Sequence, residues 1–256
     1  MTALATVHDM ATLILVRHGR TTANASGMLA GRLPGVKLDD TGLEQARQAG
    51  ERLAAVPLAA VVSSPLERCR QTARPIVRAQ AGAPRVSTDR GITECDYGDW
   101  QGRQLKELAK ERLWSTVQTQ PSAAVFPGGE SMAAMQARAV SAVRLQDARV
   151  EAERGPGAVW VAVSHGDVIK SILADALGMH LDLFQRLHID PASISIVRYT
   201  GARPYVLATN THSGDLSWLA PPPAKPAARK SSRARRTSSR ADDAAVGGGA
   251  GPSVTS

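Results

Sequence analysis

The chain has 256 residues, 43% of them hydrophobic and only 4% aromatic, and a formal net charge of +8. This is enough apolar material for one sizeable core filled mainly by Ala, Val and Leu. No apolar run reaches the ~18 residues of a membrane span, no basic-then-apolar leader opens the chain, and two cysteines make no disulfide framework, so a reduced, cytoplasmic setting is expected. The charge is unevenly spread. Residues 221–256 carry seven basic side chains (Lys225, Arg229, Lys230, Arg233, Arg235, Arg236, Arg240) against Asp242 and Asp243, which is +5 of the +8. The remainder is nearly balanced, so nucleic acid is not the expected partner.

In chain order, residues 1–11 read as a loose leader. Thr12–Val16 is a short apolar run ending at a glycine turn, the pattern of a buried strand. TGLEQARQAGERLAAV, residues 41–56, spaces Leu43, Ala46, Ala49 and Leu53 as a helix does, with Thr41 and Glu44 as a capping box. Residues 59–62 form a second strand. Residues 64–80 form a helix with Ser64 as cap, Pro65 at its first position and Pro75 as a kink. Residues 86–88 make a short edge strand, and residues 131–153 a long helix. The apolar run VWVAV, residues 159–163, is a third buried strand, followed by a helix over 167–177. Two more strands are expected at 193–198 and 205–208. Strands alternating with helices predict an α/β fold, a three-layer α/β/α sandwich with a mostly parallel central sheet. This single domain covers 12–219. Residues 220–256, rich in Pro, Ala, Ser, Gly and Arg, have almost nothing to bury and are expected to be a disordered basic tail.

In such a sheet, ligands sit beyond the carboxyl ends of the strands. The first strand is followed by Arg17-His18-Gly19, the second by Ser63-Ser64-Pro65 with Arg68 one turn on, and VWVAV by Ser164-His165-Gly166. Two His-Gly pairs and two arginines therefore leave the sheet at one end. Arginine matches phosphate oxygens bidentately, and a helix start beside Gly166 adds N–H donors. A histidine flanked by guanidiniums stays neutral and nucleophilic.

LVRHGRTTAN resembles the R-H-G-x-T-x-x-N signature of the histidine phosphatase superfamily, whose founding members are cofactor-dependent phosphoglycerate mutases. SSPLERCRQTA resembles its S-S-x-L-x-R-A-x-Q-T-A segment, with Cys69 in place of alanine. ITECDYGDWQG resembles the segment carrying its acid, and VSHGDVIK its second-histidine motif. The four occur in family order from residue 12 to about 208. The resemblance implies a phosphoglycerate mutase-like fold and no cofactor or metal, with a homodimer as the family's habit. It also implies that His18 is the nucleophile, that Arg17, Arg68 and His165 hold phosphate, and that Glu94 is the general acid and then the base. Asn24, Thr21 and Gly166 match accessory phosphate positions. Spacing alone leaves Asp96 and Asp99 open beside Glu94; the resemblance picks Glu94.

Blander readings compete. Arg68 could be a surface arginine paired with Glu67 or Thr72, and His165 a helix cap. Cys69 and Cys95 read as small buried fillers. His8, His180, His188 and His212 show no partner pattern and read as surface or structural. Within the family, mutases carry an insertion with paired arginines between acid and second histidine. Residues 98–130 hold Arg103, Lys106, Lys110 and Arg112 but no such pair, and PGGES, residues 127–131, resembles phosphatase branches. Arg20 stands where mutases usually carry Glu, and Tyr97 matches a mutase-like position. Arg20, Tyr97, Arg103 and Lys106 are therefore candidate specificity residues. The expected function is hydrolysis of a small-molecule phosphomonoester through a phosphohistidine. A phosphomutase is the alternative, and a non-catalytic phosphate-binding module a third reading.

Overall fold

A computed structural model of the chain describes residues 9–82, 84–213, 246, 247 and 249. Six strands form one sheet in the order β3-β2-β4-β1-β5-β6. They are β1 (Asp9–Arg17), β2 (Ala60–Ser63), β3 (Val86–Thr88), β4 (Val159–Ser164), β5 (Ile194–Thr200) and β6 (Tyr205–Thr211). The first four pair parallel, whereas β5 runs antiparallel to β1 and β6 antiparallel to β5. The helices are α1 (Thr22–Ser26), α2 (Asp40–Leu53), α3 (Glu67–Arg78), α4 (Leu105–Leu108), α5 (Arg112–Thr119), α6 (Met132–Arg154) and α7 (Gly166–Ala176).

The apolar strands are buried on both faces, and their side chains alternate between two cores. Leu13, Leu15, Trp160 and Ala162 belong to the cluster that includes Met135 and Val143 of α6 and Ile169 and Leu173 of α7. Ile14, Val16, Val161 and Val163 join Leu53 of α2 and Ala73 and Ile76 of α3 on the other side. This period-two division is what a central strand between two helical layers requires, and it makes the molecule the expected three-layer sandwich. Trp160 donates its indole N–H to Asp147 of α6 at 2.7 Å, tying one helical layer to the sheet.

Several boundaries differ from expectation. β1 begins at Asp9, inside the segment read as a leader, because its first residue pairs with Thr200 of β5. Residues 1–8 lie outside the described residues. α2 is capped by Asp39, whose side chain accepts from the Gly42 N–H at 2.8 Å. Thr41 lies inside the helix and instead accepts from Arg20, while Glu44 pairs with Arg47. α3 starts at Glu67 and runs through Pro75; the hydroxyl of Ser64 meets His165 at 2.8 Å and accepts only a long bond, 3.4 Å, from the N–H of Leu66 just before the helix. Ser131 caps α6 as expected. Of the stretch read as a disordered tail, Val246 is buried and Gly247 and Gly249 are hydrogen-bonded to the domain. One valine supplies an apolar anchor and the glycines permit close approach, which composition averaged over 37 residues conceals. The rest of that stretch lies outside the described residues.

Among the described residues no helix is long and apolar enough to cross a membrane. Leu13 is wholly buried at the centre of the sheet. Leu13→Ala is therefore expected to lower the unfolding free energy by about 2–5 kcal/mol, read from urea or guanidinium denaturation.

Candidate active site

The parallel register sets Arg17 at the end of β1 beside Ser164 at the end of β4. The residues that follow each, His18 and His165, consequently leave the sheet side by side, with ring centroids 5.3 Å apart. The His18 N–H still donates to the Ser164 carbonyl at 2.9 Å, and the Ala192 N–H is shared between the carbonyls of Arg17 and His18 at 3.1 and 3.2 Å. Ala192 takes a left-handed φ of 56° to do so. Beyond the ring, a Cβ on Gly19 would lie 2.4 Å from the Gly42 carbonyl oxygen, so only glycine lets the turn pass under α2.

The ring of His18 is fixed from both ends. Its Nδ1 lies 2.8 Å from the Gly19 carbonyl, which can only accept, so Nδ1 carries the proton. Its Nε2 accepts from Arg68 Nε at 3.3 Å. That tautomer leaves the Nε2 lone pair as the reactive position. Arg68 also donates to the Gly31 carbonyl at 2.7 Å and faces His165 Nδ1 at 3.2 Å, and His165 Nε2 meets the Ser64 hydroxyl at 2.8 Å. Arg68 is therefore neither exposed nor paired with Glu67; its backbone carbonyl receives Thr72, whose hydroxyl in turn accepts from the Gly19 N–H.

Arg17 is fully buried and donates from Nη1 to the Ile189 carbonyl at 2.8 Å and from Nη2 to the Gly249 carbonyl at 2.9 Å. Burial lowers its pKa to about 10, partly offset by the charges of Glu94, Asp190 and Asp167. Burial first, and the charges of Arg68 and Arg17 next, hold His18 and His165 well below the ordinary imidazole range, so both rings are neutral. Glu94 is 2% exposed and lies 3.8 Å from His165 Nδ1. Burial, reinforced by the nearby Asp167 carboxylate, raises its pKa to about 7. The main-chain carbonyl of Glu94 receives Arg32 at 2.8 Å and Arg138 at 3.0 Å. Those arginines converge on Glu130, which also accepts from the Asp96 N–H. Asp96 is tied to Arg32, and the Asp99 carboxylate faces Gly128. Of the three acids left open by spacing, Glu94 is the one placed beside the imidazoles.

Thr21 caps α1 and shares a reciprocal pair of bonds with Asn24, at 2.8 and 3.1 Å. Gly166 opens α7 directly after His165. The specificity candidates divide. Tyr97 is buried and donates to Asp167 at 2.7 Å. Arg20 is held in an ion pair with Asp39 at 2.8 Å and also donates to the Thr41 hydroxyl. Arg103 pairs with Glu111 at 2.6 Å on the surface, and Lys106 is exposed on α4. Sequence reasoning missed Asp167 and Lys170, both buried one turn apart on α7 with a 3.9 Å separation. Two charged residues on a helix face of otherwise apolar residues were the available signal. It also missed Asp190, which accepts from His188 and His212 at 2.9 and 3.1 Å. His8 lies outside the described residues. Among the described residues, no group of three or more His, Cys, Asp or Glu side chains is arranged to hold a metal ion.

The cluster thus presents a neutral imidazole nitrogen, two guanidiniums, a second neutral imidazole and a protonatable carboxyl within one buried space. It can bind a tetrahedral dianion, attack it and exchange a proton with it. Cys69 sits against His165 with Sγ 3.5 Å from Nε2; burial pushes its thiol up to about 12, and burial pushes the Cys95 thiol up as well. Neither of the chain's two cysteines should react with a thiol reagent in the native protein at pH 8, and both should react after denaturation. Native labelling of Cys69 would contradict its role as buried filler.

The family description "Histidine phosphatase superfamily (branch 1)" matches residues 13–212. "Phosphoglycerate mutase-like protein 4" of Arabidopsis thaliana is 34% identical over 168 residues, 64% of this chain and 70% of that protein. "Phosphoserine phosphatase 1" of Hydrogenobacter thermophilus is 31% identical over 206 residues, 78% of this chain and 92% of that protein. The chain spans about half the length of other relatives, which it matches at 36% identity over 194 residues. Among solved structures, Bacillus stearothermophilus YhfR superposes with a TM-score of 0.72 at 26% identity, covering 79% of this chain and 98% of that one.

Proposed function

The chain belongs to the histidine phosphatase superfamily, branch 1, and on that premise we propose that it hydrolyses a small phosphomonoester through a phosphohistidine on His18. The coarser statement, an enzyme with the phosphatase or mutase chemistry of that family, stands on the relatives themselves. The observation that supports the finer one is the orientation of His18. With its Nδ1 proton held by the Gly19 carbonyl, the Nε2 lone pair faces the space bounded by Arg68 and His165.

The steps follow from these groups. The substrate's phosphoryl dianion draws Arg68 Nε off His18 Nε2, because a doubly charged oxygen cluster is a better acceptor than a neutral imidazole. Nε2 then attacks phosphorus in line as the P–O bond to the leaving group breaks. Arg17 and Arg68 meet the charge on the equatorial oxygens, and the bound dianion raises the proton affinity of His165 so that its Nδ1, released by Arg68, donates to one of them. Glu94, protonated up to about pH 7, gives its proton to the departing oxygen. As a carboxylate it next takes a proton from water, whose oxygen attacks phosphorus and releases inorganic phosphate and free His18. A bound dianion raises the proton affinity of Glu94 further, which suits an acid. Water as acceptor is favoured over a second substrate hydroxyl because residues 98–130 lack an adjacent arginine pair for a substrate carboxylate.

Substitution, pH dependence and product analysis test this. His18→Ala should lose at least ~10³-fold in turnover of p-nitrophenyl phosphate; near-normal turnover would sink the assignment. Glu94→Gln should slow an alkyl phosphate far more than p-nitrophenyl phosphate, whose leaving group needs no proton. In the unaltered enzyme the alkyl phosphate rate should fall as pH rises through about 7, because the acid form of Glu94 is lost there. Interconversion of 3- and 2-phosphoglycerate faster than phosphate release would instead identify a mutase.

A further inference from the structure

Three residues near the C-terminus are built into the cluster around Arg17. Val246 is 1% exposed and belongs to the same core as Leu29, Tyr97 and Trp100. Gly247, at φ 75°, donates its N–H to Asp167 Oδ2 at 2.9 Å, the oxygen that also receives the Tyr97 hydroxyl. Gly249 offers its carbonyl to Arg17 Nη2 at 2.9 Å. Arg17 and Asp167 lie 232 and 80 residues from their partners in the chain.

We propose that the segment carrying Val246, Gly247 and Gly249 is a working part of the active site, a positioning element that fixes the guanidinium of Arg17 for phosphate binding and is itself anchored on Asp167. The inference rests on the phosphatase reading above.

The chemistry of the contacts supports it. Arg17 is held at both terminal nitrogens by main-chain carbonyls, Ile189 on one and Gly249 on the other. Two carbonyls fix the plane of a guanidinium, yet they are neutral. A carboxylate in the place of Gly249 would orient Arg17 equally well but would cancel the charge meant for phosphate. Five N–H groups leave a guanidinium able to serve two carbonyls and a phosphoryl oxygen together. A donor whose direction is set beforehand loses little on binding.

The segment is also seated as structure is seated. Val246 occupies a core position. A Cβ at Gly247 would lie 2.8 Å from Leu29 Cδ1, so glycine alone fits that site at that positive φ. The Gly247 N–H gives Asp167 a second donor beside Tyr97, and this stabilises an anion that has no solvent contact.

The test compares the full chain with a chain ending at residue 245. Inorganic phosphate affinity, by titration calorimetry, is expected to fall at least ~10-fold in the shortened chain, and kcat/KM for p-nitrophenyl phosphate with it, while the far-UV circular dichroism spectrum stays that of the full chain. That loss corresponds to about 1.4 kcal/mol or more. A peptide of residues 246–256 supplied at millimolar concentration should restore part of both, which a general loss of structure would not allow. Gly247→Leu in the full chain should reproduce the loss. Unchanged phosphate affinity and turnover in the shortened chain overturn the inference. Raised turnover overturns it too and identifies the segment as an inhibitory cover. Should the full chain neither bind phosphate nor turn over, the phosphatase reading fails on its own. Hydrogen exchange in the full chain then decides: a protected Gly247 amide supports the seated segment, and exchange at the rate of an unstructured peptide overturns it.

Discussion

Two guanidiniums kept charged inside the protein are the constraint from which the rest of the site follows. Arg17 and Arg68 are both almost without solvent contact, and burying an unpaired cation is costly. The fold does not solve this by placing a carboxylate directly on Arg68. It supplies neutral acceptors: the carbonyl of Gly31 and the nitrogens of His18 and His165. For Arg17 it supplies the carbonyls of Ile189 and Gly249. At ~4 Å and an effective dielectric of ~20, a unit charge pair is worth roughly 4 kcal/mol before desolvation. A salt bridge inside the cradle would spend that attraction internally; neutral acceptors leave it for an incoming dianion.

The protonation states follow from the same arrangement. Imidazoles buried among cations stay neutral, so His18 keeps its lone pair and His165 remains an acceptor toward Arg68. Glu94 experiences opposing influences. Burial and Asp167 raise its proton affinity, Arg68 and Arg17 lower it, and burial wins. The acid and the nucleophile therefore share one dry environment and are driven in opposite directions by it. A neutral base and a neutral acid coexist at the pH where both are needed.

What the sequence revealed and what it hid divide along the range of the interactions. The strand-end motifs were legible because β1 and β4 are neighbours in a parallel sheet, so residues following each strand must meet. The double apolar faces of residues 12–16 and 159–163 were legible for the same reason. The capping of α2 was misassigned because Asp39 and Thr41 are both good side-chain acceptors two residues apart. The choice was made by Arg20, which takes Thr41 and Asp39 together from a distant loop. Ser64 reads as a cap in isolation, yet its hydroxyl is claimed by His165 across 101 residues. Asp167 and Lys170 stand out in the sequence only as charges on an apolar helix, and their roles stay hidden because only the folded chain brings Tyr97 and Gly247 to Asp167 and Gln185 to Lys170. Val246 is the extreme case. A valine in a stretch of small and basic residues carries no periodic signal, and only the core that receives it gives it meaning.

Two guanidiniums buried close to two imidazoles have a consequence for the folded state as a whole. Arg17 lowers the proton affinity of both imidazoles, and Arg68 does the same; the two guanidiniums also act against each other. Their mutual repulsion is a local cost to folding, and the packing of β1, β4 and α3 holds them together. Any dianion that binds there relieves this repulsion, and by linkage it stabilises the native state by RT ln(1 + [L]/Kd), about 2.7 kcal/mol at a hundredfold excess over Kd. The same charge that makes the site costly to fold suits it to a dianion, and the neutral carbonyls from Gly31, Ile189 and Gly249 orient the guanidiniums without adding a negative charge of their own.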